Sequence, residues 1–378
     1  MSISFWEKES FINYDFIIIG SGILGLSVAC EIMENDPGRN VLILEKGLIP
    51  SGASTKNAGF ACFGSLTEIL SDFKRIGEEE TIELVKNRFE GISILRNRLS
   101  DELTGYLNYG GYELINETQL GSLEKIDDVN EKLKFIFPDN AFEITNFLIS
   151  EFGFNEKDVR AMVYSRFESQ IDTGKMMRSL IDHALSLGVK IINGCEVEMI
   201  NEKENYVKVI TQSHSGKDQI YFNAKSVIVC TNAFIDKFFP ELNIKPGRGQ
   251  VIITKPIPEL KFKGVFHFDE GFYYFRNFGN RVIFGGGRNM DFETEETLKF
   301  EPNEIILNDL IEKLERIILP GQNFEVDCNW SGIMGFNDSK RPEIKKISDR
   351  ITTAISCNGM GIALSSFVAK NIRKAVDP

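Results

Sequence analysis

The sequence predicts an α/β (α+β) fold in which a parallel, helix-covered sheet is joined to a second, mainly antiparallel sheet. Residues 16–44 read as strand, glycine turn, helix and strand, and the apolar runs are continuous, as in strands buried on both faces. Residues 245–287 alternate with period two and are punctuated by Gly271, Gly279 and a turn at 277–280, the pattern of hairpins. A length of 378 residues exceeds what one hydrophobic core usually organises, so two domains are expected.

The first unit places a strand over 16–19, a helix over 23–35, a turn at Asp36-Pro37-Gly38 and a strand over 41–44. Helical spacing covers 66–100, and 101–154 mixes short strands and helices. A helix over 175–187, closed by Gly188, leads into a strand over 189–192, a further βαβ element of the first domain. Strands follow at 206–212 and 219–223, then a buried run at 227–230. The last segment reads as a strand over 351–356, a glycine turn and a helix over 362–375. The expected division is a discontinuous first domain (1–100, 151–240 and 326–378) and a second one (101–150 and 241–325).

Composition bounds the function. Hydrophobic residues at 42% and charged residues at 26% are enough to build full cores. A net charge of -12 repels phosphate backbones, which argues against nucleic acid as a partner. The six cysteines are scattered without close pairs, which fits a reduced compartment, and three histidines are few for a metal cluster. The apolar stretch 16–29 is 14 residues long and broken by three glycines, short of the roughly 20 needed to span a bilayer. No secretory signal is visible at the start, so a cytoplasmic protein with no membrane span is expected.

Gly20-Ser21-Gly22-Ile23-Leu24-Gly25 lies between the first strand and its helix. The first glycine allows a tight turn, the second admits a pyrophosphate close to backbone N–H groups, and the third lets helix and strand pack. Glu45, twenty residues after Gly25 at the end of the next strand, is placed to accept hydrogen bonds from ribose hydroxyls and disfavours a ribose phosphate. Together these residues predict a Rossmann-like dinucleotide site, for NAD or FAD alike.

Further segments narrow the choice. Glu45-Lys46-Gly47 is followed by Ser51-Gly52-Ala53-Ser54-Thr55-Lys56-Asn57-Ala58-Gly59-Phe60. Later come Ile171-Asp172-Thr173-Gly174-Lys175, Val227-Ile228-Val229-Cys230-Thr231-Asn232-Ala233, Pro246-Gly247-Arg248-Gly249-Gln250, Trp330-Ser331-Gly332 and Gly359-Met360-Gly361. Over nearly the whole chain this set resembles the D-amino-acid oxidase-like flavoproteins, which include glycine oxidase, sarcosine oxidase, γ-glutamylputrescine oxidase and L-2-hydroxyglutarate dehydrogenase. The resemblance implies FAD. It adds Lys46 and Val197 to the cofactor residues, lays Ala53, Ser54, Lys56, Asn57, Ala58 and Gly59 along the flavin, and brings Thr231, Asn232, Gly249 and Gly332 to the cofactor. Gly359, Met360, Gly361 and Ile362 would meet the flavin where reduction leaves negative charge, with the N–H groups of the following helix directed there.

Gly285-Gly286-Gly287 ends a strand with no helix or acid placed after it, so a separate NAD(P)H site is not expected. Electrons then come from the substrate itself, by oxidation of a C–N or C–O bond.

On the substrate side, period two puts Tyr274 and Arg276 on one face of a strand and Phe275 on the other. The resemblance turns this sheet toward the flavin, making Tyr274 and Arg276 the candidate catalytic pair, placed to orient a substrate carboxylate. Arg288 and Arg341 are further anion candidates, and His267, between Phe266 and Phe268, reads as a packed residue.

Compared with the family, this chain has Met334 where glycine oxidase-like proteins bind substrate with arginine, and Ala363 where sarcosine oxidase-like proteins use a lysine. Ile283 stands in place of the lysine that activates dioxygen. The cysteine that attaches flavin covalently would fall near Gly332, four residues from Cys328, so FAD is expected to be non-covalent. The leading expectation is oxidation of an amine or amino acid, with dioxygen or a carrier as electron acceptor. A 2-hydroxy acid dehydrogenase of the same fold and a flavin-binding protein with a degenerate site are the alternatives.

Overall fold

In the computed structural model, which describes residues 4–211, 220–355 and 357–376, the first six strands are β1 (Asn13–Ile19), β2 (Val41–Leu44), β3 (Phe60–Ala61), β4 (Gly111–Ile115), β5 (Glu143–Ile144) and β6 (Ala161–Ser165). Then come β7 (Ser169–Gln170), β8 (Lys190–Ile192), β9 (Val197–Glu202), β10 (Val207–Thr211), β11 (Ile220–Val229) and β12 (Lys245–Thr254). The chain closes with β13 (Val265–Phe268), β14 (Tyr273–Phe278), β15 (Arg281–Gly286), β16 (Val326–Phe336), β17 (Glu343–Lys346) and β18 (Ile351–Ile355). The expected strand ends at Gln212, Gln219 and Ser356, and His214, lie outside the described residues.

The first sheet has the order β17-β18-β11-β1-β2-β8, and β18 through β8 run parallel. Ile17, Ile18, Leu42 and Ile43 have no exposed surface, because both faces of β1 and β2 are covered. One face packs on helices Ile23–Asn35, Thr173–Ser186 and Gly361–Val376, and the other on β9, β10 and the segment 232–244. Sheet order reverses at β1, which has β2 on one side and β11 on the other, so a crevice opens at its carboxyl end.

Two details differ from the pattern read above. The runs read as two separate strands, 219–223 and 227–230, are joined in one, β11 (Ile220–Val229). Lys225 and Ser226 interrupt its apolar run but not its ladder to β1, and Lys225 reaches out to Asp15 at 2.7 Å. The helical stretch 66–100 is two helices, Leu66–Arg75 and Glu78–Leu99, broken at Gly77 with φ +94°.

The second sheet has the order β16-β12-β15-β14-β13-β4-β6-β5, antiparallel except between β13 and β4. Segments 161–165 and 326–336, assigned above to the first domain, thus hydrogen-bond into the second sheet. Touching a cofactor loop and belonging to its sheet are separate matters, and β16 does the first from the second sheet. One face of this sheet is an aromatic core in which Phe275 stacks on Phe266 at 4.6 Å, backed by helix Glu304–Lys313. The opposite face, carrying Tyr274, Ile283 and Trp330, packs on Ala58 and Phe60. Among the described residues no helix is long and apolar enough to cross a membrane.

Candidate active site

The glycine turn after β1 is built as its spacing requires. Gly20 has φ +103°, and a Cβ there would stand 2.8 Å from the Cys230 carbonyl oxygen. A Cβ on Gly25 would stand 1.9 Å from the Gly20 oxygen, so helix Ile23–Asn35 approaches the turn backbone to backbone. That helix has Gly22 at its N-cap and no side-chain cap from it; the Ile23 N–H instead donates to Ser54 Oγ at 2.9 Å. Glu45 Oε2 accepts from the Ser21 N–H at 2.9 Å and the Ser21 hydroxyl at 2.8 Å, while Oε1 accepts from the Gly47 N–H at 2.8 Å. A carboxylate offers about four acceptor positions, which leaves room for a ribose hydroxyl. The Thr231 hydroxyl is buried without a hydrogen-bond partner, and a Cβ on Gly20 would stand 3.8 Å from the Thr231 nitrogen. Bare helix N–H groups, a clamped acid and an orphaned hydroxyl fit a dinucleotide.

The loop after the short helix Ala53–Lys56 is fixed by Asn57. Its Nδ2 donates to the Ser54 carbonyl at 2.7 Å, and its Oδ1 accepts from the Gly59 N–H and the Thr173 hydroxyl, each at 2.9 Å. Gly59, at φ +78°, accepts a hydrogen bond from the Ile171 N–H at 2.9 Å, and a Cβ there would stand 2.2 Å from the Ile171 oxygen. Arg276 holds the same loop from below. Its Nε donates to the Ala58 carbonyl, its Nη2 to the Ile171 carbonyl at 3.2 Å and its Nη1 to the Asn277 carbonyl at 3.1 Å. Burial, opposed by the distant Asp172 charge, lowers its pKa to about 10.

Arg276 therefore shares Tyr274's face, as period two predicted, but its donors are turned to backbone carbonyls. The expected role of orienting a substrate carboxylate is corrected to that of a buttress. Arg341 is also engaged elsewhere, paired with Glu83 at the surface.

Tyr274 is different. Its ring meets Phe60 edge-on at 5.5 Å, and its hydroxyl, raised to about 12 by burial, has no protein partner among the described residues. Along β16, Trp330 Nε1 donates to the Lys56 carbonyl at 2.8 Å, and Gly332 lies under Lys56 and Ala53. Met334 fills the gap between Gly249 and Gly359, whose Cβ positions would stand 2.8 Å and 3.4 Å from its Cε and Sδ. The turn 359–361 opens helix Gly361–Val376, as expected. Asn232, at φ +52°, ties the two sheets together through the Ile333 carbonyl at 3.1 Å and the Gly335 N–H at 3.0 Å. Val197 is buried beside Ile19 and Leu44, whereas the Lys46 side chain is exposed and pairs with Glu196 at 3.5 Å.

Sequence reasoning missed the cluster behind Phe60. His267 Nε2 meets Glu168 Oε2 at 3.1 Å, and the Cys62 sulfur, Glu168 carboxylate and His267 imidazole all lie within 4.8 Å of one another, buried. No spacing rule links positions 62, 168 and 267; only the fold brings them together. Burial alone would push the imidazole down, but the charge and hydrogen bond of Glu168 hold it above its usual value of 6.5. Burial would likewise push Glu168 up, and the imidazolium with the N–H groups of Gly64 and Phe63 keeps it below 4.5.

The linkage has two arms. His267's contribution is complete below pH 6.5 and fades as pH rises through its raised value; Glu168's is complete above pH 4.5 and fades as pH falls through its lowered value. Thermal stability should therefore be highest between those limits. Glu168→Gln should flatten the profile and cost about 1–3 kcal/mol at pH 6, as read by unfolding scans from pH 4 to 9. An unchanged profile would refute the ion pair.

Known proteins share this fold. The chain is similar to the probable oxidoreductase OrdL of Haemophilus influenzae, 23% identical over 398 residues covering 96% of this chain and 82% of that protein. Its fold matches the crystal structure of L-proline dehydrogenase from P. horikoshii with a TM-score of 0.77 at 17% identity, covering 97% and 94% of the two chains. It also matches glycine oxidase from Geobacillus kaustophilus, with a TM-score of 0.75 at 18% identity and coverage of 97% and 95%. The model of the family described as FAD dependent oxidoreductase matches residues 15–374, and the chain belongs to that family: it is an enzyme whose cofactor is FAD.

Proposed function

We propose that the enzyme oxidises the C–N bond of an amine or amino acid. The observation that carries this reading is a wall without a free base. The residues facing the cofactor loop are Phe60, Tyr274, Ile283, Trp330 and Met334, and the nearby imidazole, His267, lies behind Phe60 with its Nε2 engaged by Glu168 at 3.1 Å. Oxidation of a hydroxy acid requires a group to take the O–H proton as the C–H bond breaks. A neutral amine requires none, since its nitrogen lone pair forms the C=N bond as the hydride leaves.

FAD, when bound, takes up the two electrons and the hydrogen that leave the substrate carbon. The protein orients the amine against Tyr274, whose hydroxyl is available to it, and keeps water from the reacting face with Phe60, Met334 and Trp330. Water then hydrolyses the imine to a carbonyl compound and ammonia or an amine; dioxygen or a carrier would serve as the final electron acceptor. We assign cofactor binding to the turn Gly20, Ser21, Gly22, Ile23 and Gly25 with Glu45, to the loop 53–59, and to Thr231, Gly332 and the turn 359–361. Attachment is non-covalent in this reading, since by the family resemblance the attaching cysteine would fall near Gly332, four residues from Cys328. L-proline dehydrogenase and glycine oxidase, by their names, act on amino acids, which supports the substrate class.

Anaerobic mixing with amines and amino acids is expected to bleach the flavin absorbance, faster at higher pH as the amine loses its proton. Acid precipitation of the same sample should leave the colour in the supernatant. Bleaching by 2-hydroxy acids alone would overturn the reading.

A further inference from the structure

Resting on the amine reading, we infer that Arg288 anchors a carboxylate of the substrate, so that the amine carries an anionic group several bonds from the C–N bond that is oxidised.

Gly247 and Gly249 are two apart on β12 and face the same side, toward Met334 and Phe336 of β16. At Gly249 a Cβ would stand 3.8 Å from the Tyr274 hydroxyl, and at Gly247 one would stand 2.7 Å from Arg288 Cζ. The guanidinium therefore lies one two-residue step from Tyr274 along the site wall, a distance on the order of 7 Å. It is held in place by aromatic rings, 4.1 Å from the centre of Phe336 and 5.3 Å from that of Phe292. Gly247 makes the room for this stack.

No hydrogen bond or ion pair is found for the Arg288 guanidinium among the described residues, and its Nε is buried without a partner. Burial lowers its pKa, with Glu296 and Glu295 opposing at longer range. Of the nearby acids, Glu295 pairs with Arg248 at 2.6 Å, Asp291 caps Thr294 at 3.2 Å and accepts from Asn303 at 3.0 Å, and Glu296 acts on the guanidinium only through its charge, without an ion pair to it. A guanidinium fixed in orientation, partly dehydrated and unpaired is prepared for a planar anion, which it binds in a two-bond fork. Arg276 cannot compete for that anion, since its donors hold the loop. The arrangement also accounts for Met334, an apolar residue at the wall between the anchor and Tyr274.

The test uses FAD-loaded enzyme, wild type and Arg288→Gln, matched for flavin content. Calorimetry with glutarate reads the anchor directly; its Kd should rise about 30- to 100-fold in the variant, the loss of one forked charge-assisted pair. Arg288→Lys, which keeps the charge and loses the fork, should fall between the two. In anaerobic bleaching, the preference for 5-aminopentanoate over 5-aminopentanamide should drop by a similar factor in Arg288→Gln. Equal glutarate affinity in wild type and variant would overturn the anchor. Glutarate binding that depends on Arg288, in an enzyme bleached only by hydroxy acids, would leave the anchor standing and remove the amine reading. Amine bleaching indifferent to Arg288 would do the reverse.

Discussion

Gly22→Val is expected to yield a colourless protein. A valine at this position puts its Cβ 2.9 Å from Ser54 Oγ, which already accepts from the Ile23 N–H, and its two methyl groups at the N-cap of the helix, beside the remaining uncapped first-turn donors. A pyrophosphate held there accepts charge-assisted hydrogen bonds worth about 1.5–3 kcal/mol each. Losing two of them weakens FAD binding about 10²- to 10⁴-fold. The contact at Gly22 is with a hydroxyl that can rotate away, so Gly22→Ala should retain part of the flavin. At Gly25 the opposing atom is the Gly20 carbonyl oxygen, 1.9 Å from the Cβ position, and backbone cannot rotate away. Gly25→Ala should therefore distort the turn itself and lose more flavin than Gly22→Ala. Flavin-to-protein absorbance ratios measure all three, and far-ultraviolet circular dichroism separates cofactor loss from unfolding. A Gly22→Val protein with wild-type colour would place the cofactor elsewhere.

The parts of this site that could be read from sequence are those in which the physical constraint is local. Gly20, Gly22 and Gly25 answer to the geometry of one turn, and Glu45 to the length of one βαβ unit. Tyr274 and Arg276 share a face because side chains alternate along a strand, and that much held. What Arg276 does there was not legible, because its partners, the carbonyls of Ala58 and Ile171, belong to segments more than a hundred residues away in sequence. The same holds for His267 and Glu168, and for β16, whose partner β12 nothing in its own sequence specifies. Arg288 was visible as an arginine past a strand end. Its lack of a partner and its place between two phenylalanine rings are properties of the fold alone.

Arg276→Met should lower stability by about 3–5 kcal/mol and loosen FAD. Three buried carbonyls, of Ala58, Ile171 and Asn277, lose their donor. Each acceptor left unsatisfied costs about 1–3 kcal/mol, more where the lost donor was charged. One effect opposes this. The guanidinium is 3% exposed without a carboxylate at hydrogen-bond distance, and its pKa of about 10 against an ordinary 12.5 shows that the fold disfavours its charge. That shift corresponds to about 3 kcal/mol, which methionine recovers. Three lost charged donors outweigh it, so the net sign is destabilising. Arg276→Lys should do no better than methionine, because an ammonium keeps the cost of a buried charge and cannot reach three carbonyls lying in different directions. The melting temperature of the FAD-loaded enzyme should fall by on the order of 5–10 °C. The loss should include flavin affinity, since Ala58 and Gly59 are the backbone that Arg276 supports. A methionine variant with unchanged melting temperature and flavin affinity would mean that Asn57 and the single Ile171-to-Gly59 backbone bond hold the loop unaided, and that Arg276 is there for the charge it places under the cofactor.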